Sequence, residues 1–222
     1  MDGLCSYYGN AWIGMFAKTN NEITLAPVDA SEKLVKAIEE KLETRVLKTL
    51  VGGSNILGIY LAMNSNGLIL PNVVGEKEIE LIKKTGLNVY VSQEKKNAHG
   101  NNILVNDKGG LINKNISNEE RKNMEDVLGV ELVPRDVAKY ATVGSACLAN
   151  NNGFLAHYNT SDEEMAVIGK ILKVNGSKGS INYGTGFISL GVITNDHGYV
   201  AGEKTSAFEL GKVEEALGFL DK

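Results

Sequence analysis

Two side chains of this sequence could form a nucleophile and its base: Cys147, one of two cysteines, and His99, one of three histidines. A thiolate attacks carbon electrophiles once an imidazole takes its proton, and the pair needs polar, electropositive surroundings to keep the thiol ionised. Cys147 lies in the apolar run Ala146-Cys147-Leu148-Ala149, which raises a thiol's pKa, and neither Ala98 to Leu104 nor Ala141 to Leu155 supplies a supporting carboxylate. His157 and His197 stand at turns or hairpin returns, without a second ligand at metal spacing, so no metal site is expected. Gly184-Thr185-Gly186-Phe187-Ile188-Ser189 has half of a dinucleotide fingerprint but leads into a strand-like run instead of a helix. Gly169-Lys170 is followed by Ile171, which breaks the phosphate-loop pattern. No cofactor is expected.

Residues spaced for binding are small and polar. Gly9-Asn10, Gly53-Ser54-Asn55, Gly100-Asn101-Asn102, Gly144-Ser145 and Gly184-Thr185-Gly186 each precede an apolar run. Small residues let backbones crowd, and Asn, Ser and Thr satisfy exposed amides. The same pattern serves packing and turn chemistry, or a polar ring on an end-face that recognises a partner. The candidate contacts are Asn10, Asn55, Asn101, Ser145 and Thr185.

Behind them stands a repeat. The segments beginning at Asn20, Asn64, Asn106, Asn150 and Asn195 are separated by 44, 42, 44 and 45 residues. In four of them a Gly stands three places after the Asn, where a hairpin turn with positive φ is expected; the first copy has Ile23. Eleven residues after each Asn comes Ser31, Gly75, Ser117, Ser161 or Ser206, all acceptable helix N-caps, and Glu120, Glu164 and Glu209 complete capping boxes. Each unit therefore reads as strand, turn, strand, helix, strand. Trp12 to Ala17, Ile56 to Ala62 and Phe187 to Ile193 are read as inner strands buried on both faces. Helices carry apolar stripes such as Leu34, Val35, Ile38 and Leu42, and Gly86, Gly129 and Gly218 are plausible stops. Third strands are expected at Arg45–Lys48, Asn88–Val91, Glu131–Val133 and Leu172-Lys173-Val174.

The fifth helix has no strand after it, and Leu4-Cys5-Ser6-Tyr7 is a strand without a preceding helix. The two chain ends are expected to complete one unit together and close a ring, leaving no sheet edge open. The fold class is α/β: a closed ring of five pseudo-symmetric ββαβ modules in a single domain, 1–222, with units at approximately 1–44, 45–87, 88–130, 131–172 and 173–222. A period of this size means units that share their apolar faces with neighbours.

Composition narrows the class of partner. A hydrophobic share of 43% and a charged share of 23% are those of an ordinary soluble protein, and no run approaches a membrane span. The start Met1-Asp2-Gly3-Leu4 lacks a basic leader, so the expected location is the cytoplasm. A net charge of −4 argues against free nucleic acid, since phosphate binding draws on clustered Lys and Arg. The pairs Lys83-Lys84 and Lys95-Lys96 are too few to change that, and a basic protein partner suits the balance better. Five-unit αβ rings also host guanidine-modifying enzymes, for which Cys147 with His99 is the available pair.

The residues Ile13-Gly14-Met15-Phe16-Ala17, Gly52-Gly53-Ser54-Asn55, Asn66-Gly67-Leu68-Ile69-Leu70-Pro71-Asn72, Asn106-Asp107-Lys108-Gly109, Thr142-Val143-Gly144-Ser145 and Glu214-Glu215-Ala216-Leu217-Gly218 carry a further signal. Together they resemble the translation initiation factor six family in its archaeal form, from about Tyr8 to Phe219. The resemblance implies the pentein fold and an activity of binding, not catalysis: docking as a monomer on the intersubunit face of the large ribosomal subunit, against ribosomal proteins near the sarcin-ricin loop. There it would exclude the small subunit and take part in large-subunit maturation. Asn101 matches a family contact residue, whereas Ile59 and Ala146 stand where eukaryotic members carry an Arg and an aromatic.

Overall fold

The computed structural model describes residues 3–220. It holds five three-stranded sheets, each with an inner, a middle and an outer strand. Inner and middle strands form an antiparallel hairpin, and in the first four sheets the middle strand reaches a parallel outer strand through one helix. The first module comprises Lys18–Thr19, Ile23–Pro27, helix α1 (Glu32–Leu42) and Arg45–Thr49. The second comprises Ala62–Met63, Gly67–Leu70, α2 (Glu76–Lys83) and Asn88–Val91. Ile103–Val105, Gly110–Ile112, α3 (Asn118–Leu128) and Leu132–Pro134 form the third. Cys147–Ala149, Phe154–His157, α4 (Asp162–Leu172) and Gly176–Gly179 form the fourth. The fifth has Val192–Thr194, Tyr199–Gly202 and α5 (Ala207–Leu217), and its outer strand is Leu4–Cys5, with Leu4 opposite Ala201 and Cys5 opposite Gly202.

Each sheet is covered on both faces, which is why the middle strands read as continuous apolar runs. One face packs on the module's own helix and the other on the next module's core. Ile23 and Leu25 of the first module join Val51, Leu57 and Ile82 of the second. Ala62 and Ile69 join Ile112, Met124 and Leu128 of the third. Leu104 and Leu111 join Phe154, Ile168 and Leu172 of the fourth. Leu148 and Leu155 join Ile188, Val213 and Leu217 of the fifth. Ile193 and Val200 of the fifth pack with Ile13, Leu34 and Ile38 of the first. Inner strands of successive modules touch in the same order, the fifth also touches the first, and the line beside which they meet is called the axis below.

Four local expectations are corrected. The apolar runs before the repeat Asn residues are not strands throughout: Ile13–Met15, Leu57–Tyr60, His99–Asn102, Val143–Ala146 and Ile188–Leu190 are single helical turns, and strand begins only after them. The fourth outer strand is Gly176–Gly179, because α4 runs through Leu172 and ends on Lys173 in the left-handed region. Gly67, Gly109, Gly153 and Gly198 do not have positive φ. They are small because a Cβ there would strike a carbonyl near the end of an adjacent helix: Val127, Ile171, Ala216 or Lys41 respectively. Finally, all five N-caps stand as expected, but Glu120 does not complete its capping box. Its carboxylate accepts from the Tyr90 and Ser92 hydroxyls and the Gln93 N–H. Glu94 receives the Ser117 N–H instead, and Glu78 accepts from the Gly75 N–H, which gives α2 the glutamate half of a box, Gly75 having no side chain to return the bond.

Candidate functional site

The two ends of the axis are built differently. At one end lie the repeat Asn residues, each buried and each hydrogen-bonded through both ends of its amide. Oδ1 accepts from two N–H groups of its own turn, as Asn106 does from Lys108 and Gly109 at 2.9 and 3.0 Å. Nδ2 donates to the carbonyl of the next repeat Asn: Asn20 to Asn64, Asn64 to Asn106, Asn106 to Asn150, Asn150 to Asn195, and Asn195 back to Asn20, at 3.0 to 3.2 Å. Four of them also donate to the last carbonyl of a helix, Leu128, Leu172, Leu217 or Leu42. For Asn20 no such second bond is recorded, and the helix beside it, α2, is three residues shorter than the others, 8 against 11. The residues just after these asparagines form a polar plate: Asp107 accepts from Ser65 and Asn151, and Asp196 from Asn151 and Asn21.

At the other end the five helical turns crowd the axis. A Cβ on Gly14 would fall on the Ser189 carbonyl, one on Gly58 on that of Gly14, one on Gly100 on that of Gly58, and one on Gly144 on that of Gly100. The fifth place is Ser189, whose hydroxyl donates to the Gly144 carbonyl. Outside these turns stand tight turns bridged at Tyr7 and Asn10, Val51 and Ser54, Val137 and Tyr140, and Ile181 and Thr185. Their tips take left-handed φ, Tyr8 at 50° and Tyr183 at 61°, and both side chains project, 76% and 77% exposed.

This arrangement separates the candidate contact residues into two levels. Asn101 and Ser145 belong to the axial turns; Asn10, Asn55 and Thr185 belong to the tight turns or their feet. The matching axial positions, counted five places back from each repeat Asn, are Met15, Ile59, Asn101, Ser145 and Leu190. Met15 and Leu190 stand outside the expected contacts, and Ile59 entered only through the family resemblance, because Gly-Asn pairs occur at both levels and look alike; counting back from the Asn gives all three. All five sit half-buried except Ser145, which is buried and donates its hydroxyl to the Thr142 carbonyl. Asn101 Oδ1 is buried with no hydrogen-bond partner. Asn10 Oδ1 accepts from the Trp12 N–H, and Asn55 donates to the Tyr7 hydroxyl at 3.0 Å, which itself donates to Asp29. Thr185 pairs through its backbone with Ile181.

Carboxylates at helix N-termini fix the tight turns. Glu78 accepts from the N–H groups of Gly52 and Gly53 at 2.7 and 2.9 Å, and Glu209 accepts from Gly184 at 2.8 Å and Tyr183 at 3.3 Å. Burial pushes both carboxyls up, but the donated hydrogen bonds outweigh it and hold them below the usual range.

The thiol and imidazole do not form a catalytic pair. Burial holds the Cys147 thiol far above its ordinary pKa, and the cavity it lines contains neither a histidine nor a carboxylate. Burial pushes His99 down to about 4 against the pull of Glu120 and Glu94, and both ring nitrogens lack partners. Among the described residues no group of three or more His, Cys, Asp or Glu could hold a metal ion, and no helix is long and apolar enough to cross a membrane.

Comparison with known proteins adds the remaining evidence. The sequence profile described as the eIF-6 family matches residues 3–216. The chain is 35% identical over 212 residues to Translation initiation factor 6 of Picrophilus torridus, covering 96% of this chain and 97% of that protein. It is 37% identical over 221 residues to Translation initiation factor 6 of Methanocaldococcus jannaschii, covering 96% of each, and 36% identical over 211 residues to that of Pyrobaculum arsenaticum, covering 95% and 96%.

Proposed function

Since the chain belongs to the eIF-6 family, a family of translation factors and not of enzymes, we propose that it binds the intersubunit face of the large ribosomal subunit and by its bulk keeps the small subunit off. The match over residues 3–216 is the observation that carries this reading. The partner surface would be ribosomal proteins near the sarcin-ricin loop, the setting cytoplasmic, the working form a monomer, and late large-subunit maturation a second context for the same contact.

We read the five modules as one domain and a pentein-type ring. The strand pair of Leu4–Cys5 with Tyr199–Gly202, the core shared by the fifth and first modules, and the Asn195 to Asn20 bond support that reading. A body braced in this way loses little ordering entropy on docking, so an interface of roughly 1,200 to 2,000 Å² suffices for tight binding. The docking face is the end bearing the axial and tight turns, with Asn101 at its centre and Asn10, Asn55, Ser145 and Thr185 around it. An amide whose Oδ1 is buried and unpartnered is suited to accept a donor from a partner.

Replacing Asn101 by Glu puts a bulky charge in that position. Cosedimentation with purified large subunits should weaken at least tenfold while the circular dichroism and melting curve stay those of the parent. Undiminished cosedimentation of the variant removes the site assignment. Failure of the parent chain to ride with large subunits, or to lower the yield of joined ribosomes, removes the function.

A further inference from the structure

Tyr8 and Tyr183 stand on backbone that suits glycine better. Both lie in the left-handed region, where a bulky side chain is strained and glycine or asparagine is not. The fold does not require tyrosine there, since the second module fills its matching tight turn with Gly52 and Gly53, at φ 61° and 71°. Neither ring serves the core, because both project into solvent. Tyr183 is held through its N–H, which donates to Glu209, and its hydroxyl has no hydrogen-bond partner among the described residues. A strained residue that serves neither its turn nor the core points to a use outside the chain.

The two turns are neighbours: Asn182, beside Tyr183, donates through Nδ2 to the Ala11 carbonyl at the foot of the first turn, at 2.9 Å. Tyr8 is braced in its place, its ring edge-on to Tyr7 with centroids 5.0 Å apart and its hydroxyl donating to the Asp29 carbonyl at 3.1 Å. A ring fixed in advance loses little entropy when a partner covers it. Phe208, 77% exposed, lies in the first turn of α5 just before Glu209, so it belongs to the same end. In the five Asn turns at the other end no large apolar side chain stands exposed. Charge then decides what the tyrosines can meet. Neither residues 3–17 nor residues 179–191, which hold the two turns, include a Lys or an Arg, and the carboxylates of Asp29 and Glu209 lie beside them. A nucleic-acid backbone finds no cation there, whereas apolar sockets on a basic protein suit both the rings and the acids.

We infer that Tyr8 and Tyr183 are the anchors of the docking face, their rings seated in apolar sockets of a basic protein of the large ribosomal subunit. Both roles rest on the docking reading above and specify which side chains supply its affinity. Rigid aromatic side chains of this kind carry most of the binding free energy in protein interfaces.

Asparagine keeps a left-handed turn and removes the ring. Tyr183→Asn should therefore melt no lower than the parent yet bind purified large subunits about tenfold more weakly. Tyr8→Asn should weaken binding to a similar degree, while Tyr8→Phe and Tyr183→Phe keep it within about twofold. Asn variants that bind as well as a parent that itself rides with large subunits would overturn the anchor roles and leave the docking reading standing. A parent that does not bind removes both. The class of partner is read from Tyr183→p-benzoylphenylalanine, in which an aromatic ring remains at the turn: irradiation on purified large subunits should join the chain to a ribosomal protein. Adducts with ribosomal RNA instead, or no adduct from a bound chain, would overturn the assignment. Should an Asn variant fail to fold, this cross-link decides.

Discussion

In four of the five modules a single asparagine does four things at once: it accepts twice through Oδ1 and donates twice through Nδ2. Asn106 shows the full set, from Lys108 and Gly109 and to Asn150 and Leu172. Aspartate is nearly the same shape but has no donor, so Asn106→Asp leaves two buried carbonyls unpaired and places a charge beside them. Urea unfolding should show a loss of about 3 kcal/mol, and a change below about 0.5 kcal/mol would deny the amide its part. His99 presents the opposite case, a polar ring where Ile13, Leu57, Val143 and Ile188 stand in the other turns. Its folded pKa lies below its ordinary value, so the native state binds fewer protons than the unfolded one as pH falls from about 6.5 toward 4. Stability therefore drops across that window. His99→Leu should remove about 2 kcal/mol of the difference in unfolding free energy between pH 7 and pH 4.5, and a parallel decline in both chains would exclude His99 as the cause.

At the scale of the element, Glu209 links a helix to a turn. Its carboxylate caps α5 through Ser206 and at the same time holds the N–H groups of Gly184 and Tyr183. Glutamine keeps the size but turns an amide donor toward those donors. Glu209→Gln should cost about 2 kcal/mol in urea unfolding and should raise amide hydrogen exchange at Tyr183 and Gly184 more than along α5; unaltered exchange at the turn would show that it stands without the carboxylate. The elements differed in how legible they were. Ser31, Ser117, Ser161 and Ser206 announced the helices, since a hydroxyl before an amphipathic stretch has one dominant use. The helical turns at the axis were hidden, because Leu57-Gly58-Ile59-Tyr60 is apolar all round and shows neither a period of two nor of 3.6. The strand Gly176–Gly179 has no apolar side chain at all, and only pairing with Phe154–His157 makes it one. The candidate contact residues suffered from the same loss: without the helical turn, Gly53-Ser54-Asn55 and Gly100-Asn101-Asn102 look equivalent, though they occupy different levels.

For the whole molecule the repeat period stated how many modules there are, and it left open how the last meets the first. Asn195 donates to Asn20 and Leu42, 175 and 153 positions away, whereas Asn64 makes the matching bonds to Asn106 and Leu128, 42 and 64 positions away. If the modules form a sealed ring, both are the same joint. Asn195→Ala and Asn64→Ala should then destabilise by amounts that agree within about 1 kcal/mol in urea unfolding. A near-neutral Asn195→Ala beside a damaging Asn64→Ala would mean an array that is open in solution.

Interchangeable staves raise a hazard of their own, which is assembly in the wrong order while the chain is still finding its partners. Ser189 and Ile23 make two of the seams unlike the rest. The Ser189 side chain is accommodated beside Gly144, while at the other four seams a Cβ in that position would strike a carbonyl. Ile23 takes the place where the other hairpins need a Gly beside a helix end, and the helix it meets is the short one, α2. Each departure from five-fold likeness thus marks one seam like a ward cut into a key: a side chain that suits its own joint would not suit the others.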